Sequence, residues 1–142
     1  MRSLLDVNVL IALSDPDHVF HSVAKTWWVM HREEGWATCP LTQNGCVRII
    51  GQPGYPNPQS AITVIKLLAH TCSDPCHEFW PDDACLLDAR QFQHTHIHGC
   101  RQITDLYLLG LAVRHGGRLV TFDERIPLSA VHGAKKQHVL SL

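Results

Sequence analysis

The chain has 142 residues, 45% of them hydrophobic, which suits a single domain, residues 1-142, built around one sizeable core. Twelve Lys and Arg stand against 13 Asp and Glu, a formal net charge of -1 with no block of one sign, so a general basic nucleic-acid glue is excluded. No apolar run approaches the roughly 20 residues of a membrane span, and Met1-Arg2-Ser3-Leu4-Leu5-Asp6 lacks the apolar segment of a secretory signal. The expectation is a soluble, cytoplasmic protein without a membrane partner, its six cysteines reduced.

Met1 to Asp6 reads as a buried strand ending in an acid, and Val7 to Leu13 as the buried helix that follows it. From His21 to Glu34 the apolar residues Val23, Ala24, Trp27, Trp28 and Met30 recur at helical spacing, and Gly35 stops the pattern. Trp36 to Cys39 is a second strand, and Pro40 opens a helix through Ile50 with Thr42, Gln43 and Asn44 in its first turn. The breaker-rich stretch from Gly51 to Pro58 is a loop before a helix from Ser60 to about His70. His77 to Trp80 is a third strand, and Asp83 to Gln93 a short helix. Thr104-Asp105 starts the clearest helix of the chain, ended by Gly116-Gly117. Arg118 to Asp123 is a strand that again ends in an acid, and His138 to Leu140 supplies a last one. Strands alternating with helices imply an α/β fold with a parallel sheet covered on both faces.

In such sheets ligands gather beyond the carboxyl ends of the strands, where Asp6 and Asp123 should lie. Asp105 opens a crossover helix, whose N-terminus shares that edge, so three acids far apart in sequence can converge. Each alone also suits a helix cap or a turn. Together, as unpaired neighbours, they must hold a cation or take up protons. Mg²⁺ or Mn²⁺ fits carboxylate oxygen and can activate water for in-line attack on a phosphodiester.

The chain resembles the PIN-domain ribonucleases, specifically VapC-type toxins of bacterial toxin-antitoxin pairs. The matching residues are Leu4-Leu5-Asp6-Val7-Asn8-Val9-Leu10-Ile11-Ala12-Leu13, Thr38-Cys39-Pro40-Leu41-Thr42-Gln43-Asn44-Gly45, Phe79-Trp80-Pro81-Asp82-Asp83, Arg101 to Leu109 and Leu119-Val120-Thr121-Phe122-Asp123, in family order along nearly the whole chain. The resemblance implies a three-layer α/β/α PIN-like fold with a central parallel sheet, metal-dependent endoribonuclease activity on an RNA substrate, and a small antitoxin protein as partner. Asp6, Asp105 and Asp123 match the family's acidic metal-site positions, and Asn8 and Thr121 its supporting polar positions. Where the family usually has a glutamate after the second strand, this chain has Gln43, a catalytic-site position without the charge. Two function classes follow: a metal-dependent endoribonuclease toxin, or a PIN-fold module weakened by Gln43 that binds RNA or antitoxin without turnover.

Other features compete for a role. Cys72, Cys76, His77, His94, His96, His98 and Cys100 are residue types that zinc prefers, at spacings only loosely those of a zinc site. Cys46 and Cys85 have no assignable base, and a thiol enzyme is rejected. Trp27 and Trp28 belong to the core or to an interface, and a homodimer through helices with surplus apolar surface is expected, with both as contributors. Arg48, Arg90, Arg101, Arg114 and Arg118 are candidates for RNA phosphates, with solvated surface as the plainer reading.

Overall fold

In the computed structural model, which describes residues 1–142, ten regular elements follow one another: β1 (Ser3–Leu5), α1 (Val7–Ser14), α2 (His21–His31), β2 (Trp36–Thr38), α3 (Pro40–Ile50), α4 (Ala61–Thr71), β3 (His77–Phe79), α5 (Ile103–Arg114), β4 (Arg118–Thr121) and β5 (Val139–Ser141). The strands form one sheet in the order β3-β2-β1-β4-β5, and every neighbouring pair is parallel. The chain first builds outward from β1 to β3, then returns to the other side of β1. The switch point therefore falls between β1 and β4, where a ligand crevice is expected at the carboxyl edge.

The two-residue period of the strands sorts their side chains into two cores. Leu4, Ala37 and Leu119 are paired across β1, β2 and β4 and face α5, joining Leu106, Leu109, Trp80 and Phe92. Leu5, Trp36 and Val120 face the opposite way, into Val9, Ala24, Trp27, Cys46 and Val64 of α1 to α4. The result is the expected α/β/α sandwich. Both faces of the central strands are covered, which is why Leu4-Leu5, Trp36-Ala37 and Leu119-Val120 read as apolar runs rather than alternations, whereas the edge strand β3 is largely exposed. No helix is long and apolar enough to cross a membrane.

One predicted element is absent. Asp83 to Gln93 does not form a helix but a pair of turns leading to an antiparallel bridge between Phe92 and Val131. Asp88 explains the difference: its carboxylate accepts from the Arg90 N–H at 2.9 Å, from the Arg90 guanidinium at 2.9 and 3.0 Å and from the Gln91 amide at 3.2 Å. These local bonds offer the backbone an alternative to the helix. They also release Phe92 to extend beneath α5, where it is fully buried.

There Gly110 lets the ring approach the helix: a Cβ at this position would lie 2.4 Å from Phe92 Cζ. A glycine inside a helix costs roughly 1 kcal/mol against alanine. Gly110→Ala should nevertheless lower stability, by about 2 kcal/mol from overpacking. In denaturant melts that loss should shrink when Phe92→Leu is added, whereas a Gly110→Ala protein as stable as the native chain would contradict the packing described.

Candidate active site

Because β1 and β4 pair in register, with Leu5 beside Val120, the chain leaves both strands at the same edge. Asp6 comes directly after β1 and caps α1, its Oδ1 accepting from the Val7 N–H at 2.6 Å. Asp123 lies two residues beyond β4, and Asp105 is in the first turn of α5. A carboxylate oxygen of each lies within 4.8 Å of one of each of the others. They form the wall of a cleft of about 770 Å³ that is also lined by Asn8, Asn44, Arg48, Asp82 and Thr104.

Thr121 fixes the arrangement from beneath. Its hydroxyl donates to Asp6 Oδ2 at 2.7 Å and accepts from the Asp123 N–H at 3.1 Å and from Asn8 Nδ2 at 3.2 Å. One donor and two lone pairs are all that a hydroxyl has, so this one is fully used. The same Asn8 nitrogen reaches Asp123 Oδ2 at 3.4 Å. With its nitrogen turned to acceptors, Asn8 Oδ1 is left buried without a partner.

None of the three acids forms an ion pair with a Lys, Arg or His of the chain. Burial raises the proton affinity of Asp6, which is only 3% exposed, against the bonds from Thr121 and Val7, and the Asp123 charge adds to the rise. Burial likewise lifts Asp105 to a pKa of about 6, with further contributions from the charges of Asp6 and Asp123. The donor set is hard oxygen throughout, negatively charged and uncompensated, with an orphaned amide oxygen beside it. That chemistry fits Mg²⁺ or Mn²⁺.

A PIN-domain family model matches residues 3–131. The chain belongs to the PIN-domain family. It is 51% identical to ribonuclease VapC44 of Mycobacterium tuberculosis over 142 residues, the full length of both chains. It is 43% identical to ribonuclease VapC39 of the same organism over 135 residues, covering 94% of this chain and 96% of the relative. Among solved structures, VapBC2 of Rickettsia felis bound to a promoter DNA fragment superposes with a TM-score of 0.58 at 12% identity, covering 87% of this chain and 89% of that one. The M. tuberculosis toxin VapC20, which cleaves the sarcin-ricin loop, gives 0.59 at 12% identity over 82% of this chain and 85% of its own. At that identity both show the shared fold.

Within this PIN domain, Gln43 is not where the sequence put it. Its amide donates to Thr38 Oγ1 at 2.9 Å, Thr38 Oγ1 is 2.8 Å from His77 Nε2, and the side chain borders the groove between α3 and α4 with Val47, Leu68 and Cys72. The cleft is instead lined from α3 by Leu41, Asn44, Gly45 and Arg48. At 3.6 residues per turn, position 43 lies roughly 150° around the helix from the centre of that stripe. Helical phase, countable from Pro40, was the signal that separates Asn44 from Gln43. Asp82, beyond β3 and within the Phe79 to Asp83 stretch of the family resemblance, is a further carboxylate of the cleft.

The cysteines and histidines do not assemble: the only group of three or more metal-ligating side chains is Asp6, Asp105 and Asp123. His77, His94 and His96 are instead engaged with Thr38 Oγ1 and with the carbonyls of Leu86 and Ser129. All six cysteines are free, with Cys39 and Cys46 buried.

The raised pKa of Asp105 has a thermodynamic consequence. An acid that holds its proton more tightly when folded makes stability fall as pH rises from its unfolded value near 4 to its folded value of about 6, and level off above. Asp105→Asn removes this term, so the metal-free variant should be more stable than the native chain at pH 7.5, by about 1 kcal/mol after allowance for solvent screening. The two melting curves should converge below pH 4. A difference that does not change with pH would contradict the electrostatic origin.

Proposed function

We propose that this PIN-domain protein is an endoribonuclease that requires Mg²⁺ or Mn²⁺ and acts as the toxin of a toxin-antitoxin pair. The observation that carries the reading is the convergence of Asp6, Asp105 and Asp123 within 4.8 Å with none of them in an ion pair. The ribonuclease names of the full-length relatives support RNA as the substrate. A divalent ion held by these three carboxylates would supply the missing positive charge and a water activated near neutral pH. The protein's own part is to hold the acids out of ion pairs, with Thr121 and Asn8 orienting Asp6 and Asp123. In this reading the three carboxylates are ligands of the ion rather than bases, and no His or Lys lines the cleft to take the proton of an RNA 2′-hydroxyl in their place. Water is the nucleophile, and the products carry 5′-phosphate and 3′-hydroxyl ends.

The reading as a weakened binding module was drawn from Gln43, and with that side chain outside the cleft it has no structural support. A small antitoxin remains part of the proposal, supported by the VapBC2 assembly among the structural relatives. An acid-lined cleft is complementary to an inserted arginine fork. A homodimer is also proposed, though on different residues from those first expected. Trp27 is buried in the core and Trp28 packs half-buried against it, while Val23, Val29 and Met30 of α2 and Ile62, Ile65 and Leu67 of α4 are the exposed apolar side chains of those helices.

Cleavage of RNA with Mn²⁺, with the product ends identified, tests the proposal. Asp6→Asn and Asp105→Asn should each lower the rate on the order of 100-fold or more with the fold intact by circular dichroism. Gln43→Glu should leave the half-saturating metal concentration unchanged. Wild-type rates in Asp105→Asn, or cyclic phosphate ends, would refute the mechanism.

A further inference from the structure

The chain has eight arginines, and they divide into two sets. Five are committed to carboxylates: Arg2 to Glu78, Arg32 to Asp74, Arg90 to Asp88, Arg114 to Asp83 and Arg118 to Glu34. The other three, Arg48, Arg101 and Arg125, are exposed and in no ion pair. These same three border the acids. Arg48 lines the cleft described above. Arg101 and Arg125 line an adjoining cavity of about 400 Å³ together with Asp105, Asp123 and Glu124.

Asp105 and Asp123 belong to both cavities. They form the ridge between them, with Arg48 on one side and Arg101 and Arg125 on the other. Each of these arginines shares a cavity with several carboxylates and pairs with none, whereas the arginines elsewhere have found partners. Their guanidinium forks remain free for bidentate contact with an anion, and the acids remain free for a cation. A polyanion passing over three carboxylates is otherwise repelled, and a chain of net charge -1 offers no general attraction. The attraction has to be local, on both sides of the acids.

We propose that Arg48, Arg101 and Arg125 grip the phosphates that flank the reacting one, Arg48 on one side and Arg101 with Arg125 on the other, so that a single RNA strand is drawn across the acid ridge. This rests on the ribonuclease reading above for the identity of the strand. The arginines act by positioning: they bind backbone and touch no reacting atom. Arg90, Arg114 and Arg118, candidates on sequence grounds, are tied to Asp88, Asp83 and Glu34 and have no part in it.

Binding can be measured apart from cleavage, by fluorescence anisotropy of a labelled single-stranded RNA of about a dozen nucleotides with the native chain in chelator, across a range of salt. Each phosphate contact on a single strand contributes about 0.7 to the slope of log affinity against log salt. Arg48→Ala, Arg101→Ala and Arg125→Ala should each weaken binding about fivefold at low salt and reduce the slope by about 0.7. Arg→Lys should restore most of the slope, and Arg90→Ala should match the native chain. With metal restored, the three variants should raise KM and leave kcat nearly unchanged. RNA that is cut while all three variants match Arg90→Ala in binding and KM would overturn the grip and leave the nuclease reading standing. RNA held through these arginines but never cut would leave the grip and overturn the nuclease reading. A native chain that does not bind the strand at all would overturn the grip.

Discussion

Three carboxylates held within 4.8 Å of one another repel, and none of them is in an ion pair. Much of the architecture answers the question of how they are kept together. Parallel pairing of β1 with β4 delivers Asp6 and Asp123 to one edge, and α5, returning toward β4, delivers Asp105 at its N-terminal turn. The helix ends contribute too, since the N-termini of α1 and α5 present partial positive charge to Asp6 and Asp105. The Thr121 hydroxyl, saturated between Asp6, Asp123 and Asn8, replaces part of the hydration lost on burial. Burial first, and then the charges of Asp6 and Asp123, still lift Asp105 to about 6.

The parts of this arrangement that depend on periodicity were legible in the sequence. Leu4-Leu5-Asp6 and Leu119-Val120-Thr121 announce strands that run into acids, and the Leu-rich stretch before Gly116 announces α5. The pairing of β1 with β4 is not periodic and no strand order was legible; the convergence of the acids was expected from the shared carboxyl edge of a parallel sheet and from the family resemblance. Asp88 overrode the apparent helix at 83–93 through side-chain bonds to Arg90 and Gln91 that compete only once the turn has formed. Gln43 was misplaced because its match to a family position ignored the phase of α3, on which its neighbour Asn44 reaches the cleft. Trp27 and Trp28 show a subtler limit: the spacing gave an amphipathic helix but not which edge of its apolar face would meet the core.

Charge shows the same division between composition and placement. A net charge of -1 excludes a uniformly basic surface and says nothing about where the unpaired arginines stand. Ion pairing removes five of the eight from consideration and leaves three beside the acids. Across the cleft and the cavity that adjoins it, arginine stands on either side of the shared Asp105 and Asp123. An anionic strand requires that order if its flanking phosphates are to be held while the central one meets a cation.

Crystals of the native chain soaked in Mn²⁺ and measured for anomalous scattering test the central claim directly. The account predicts a peak among the carboxylates of Asp6, Asp105 and Asp123 that disappears in Asp105→Asn crystals soaked under the same conditions. Manganese bound elsewhere, or none among these acids at millimolar concentration and neutral pH, would contradict it.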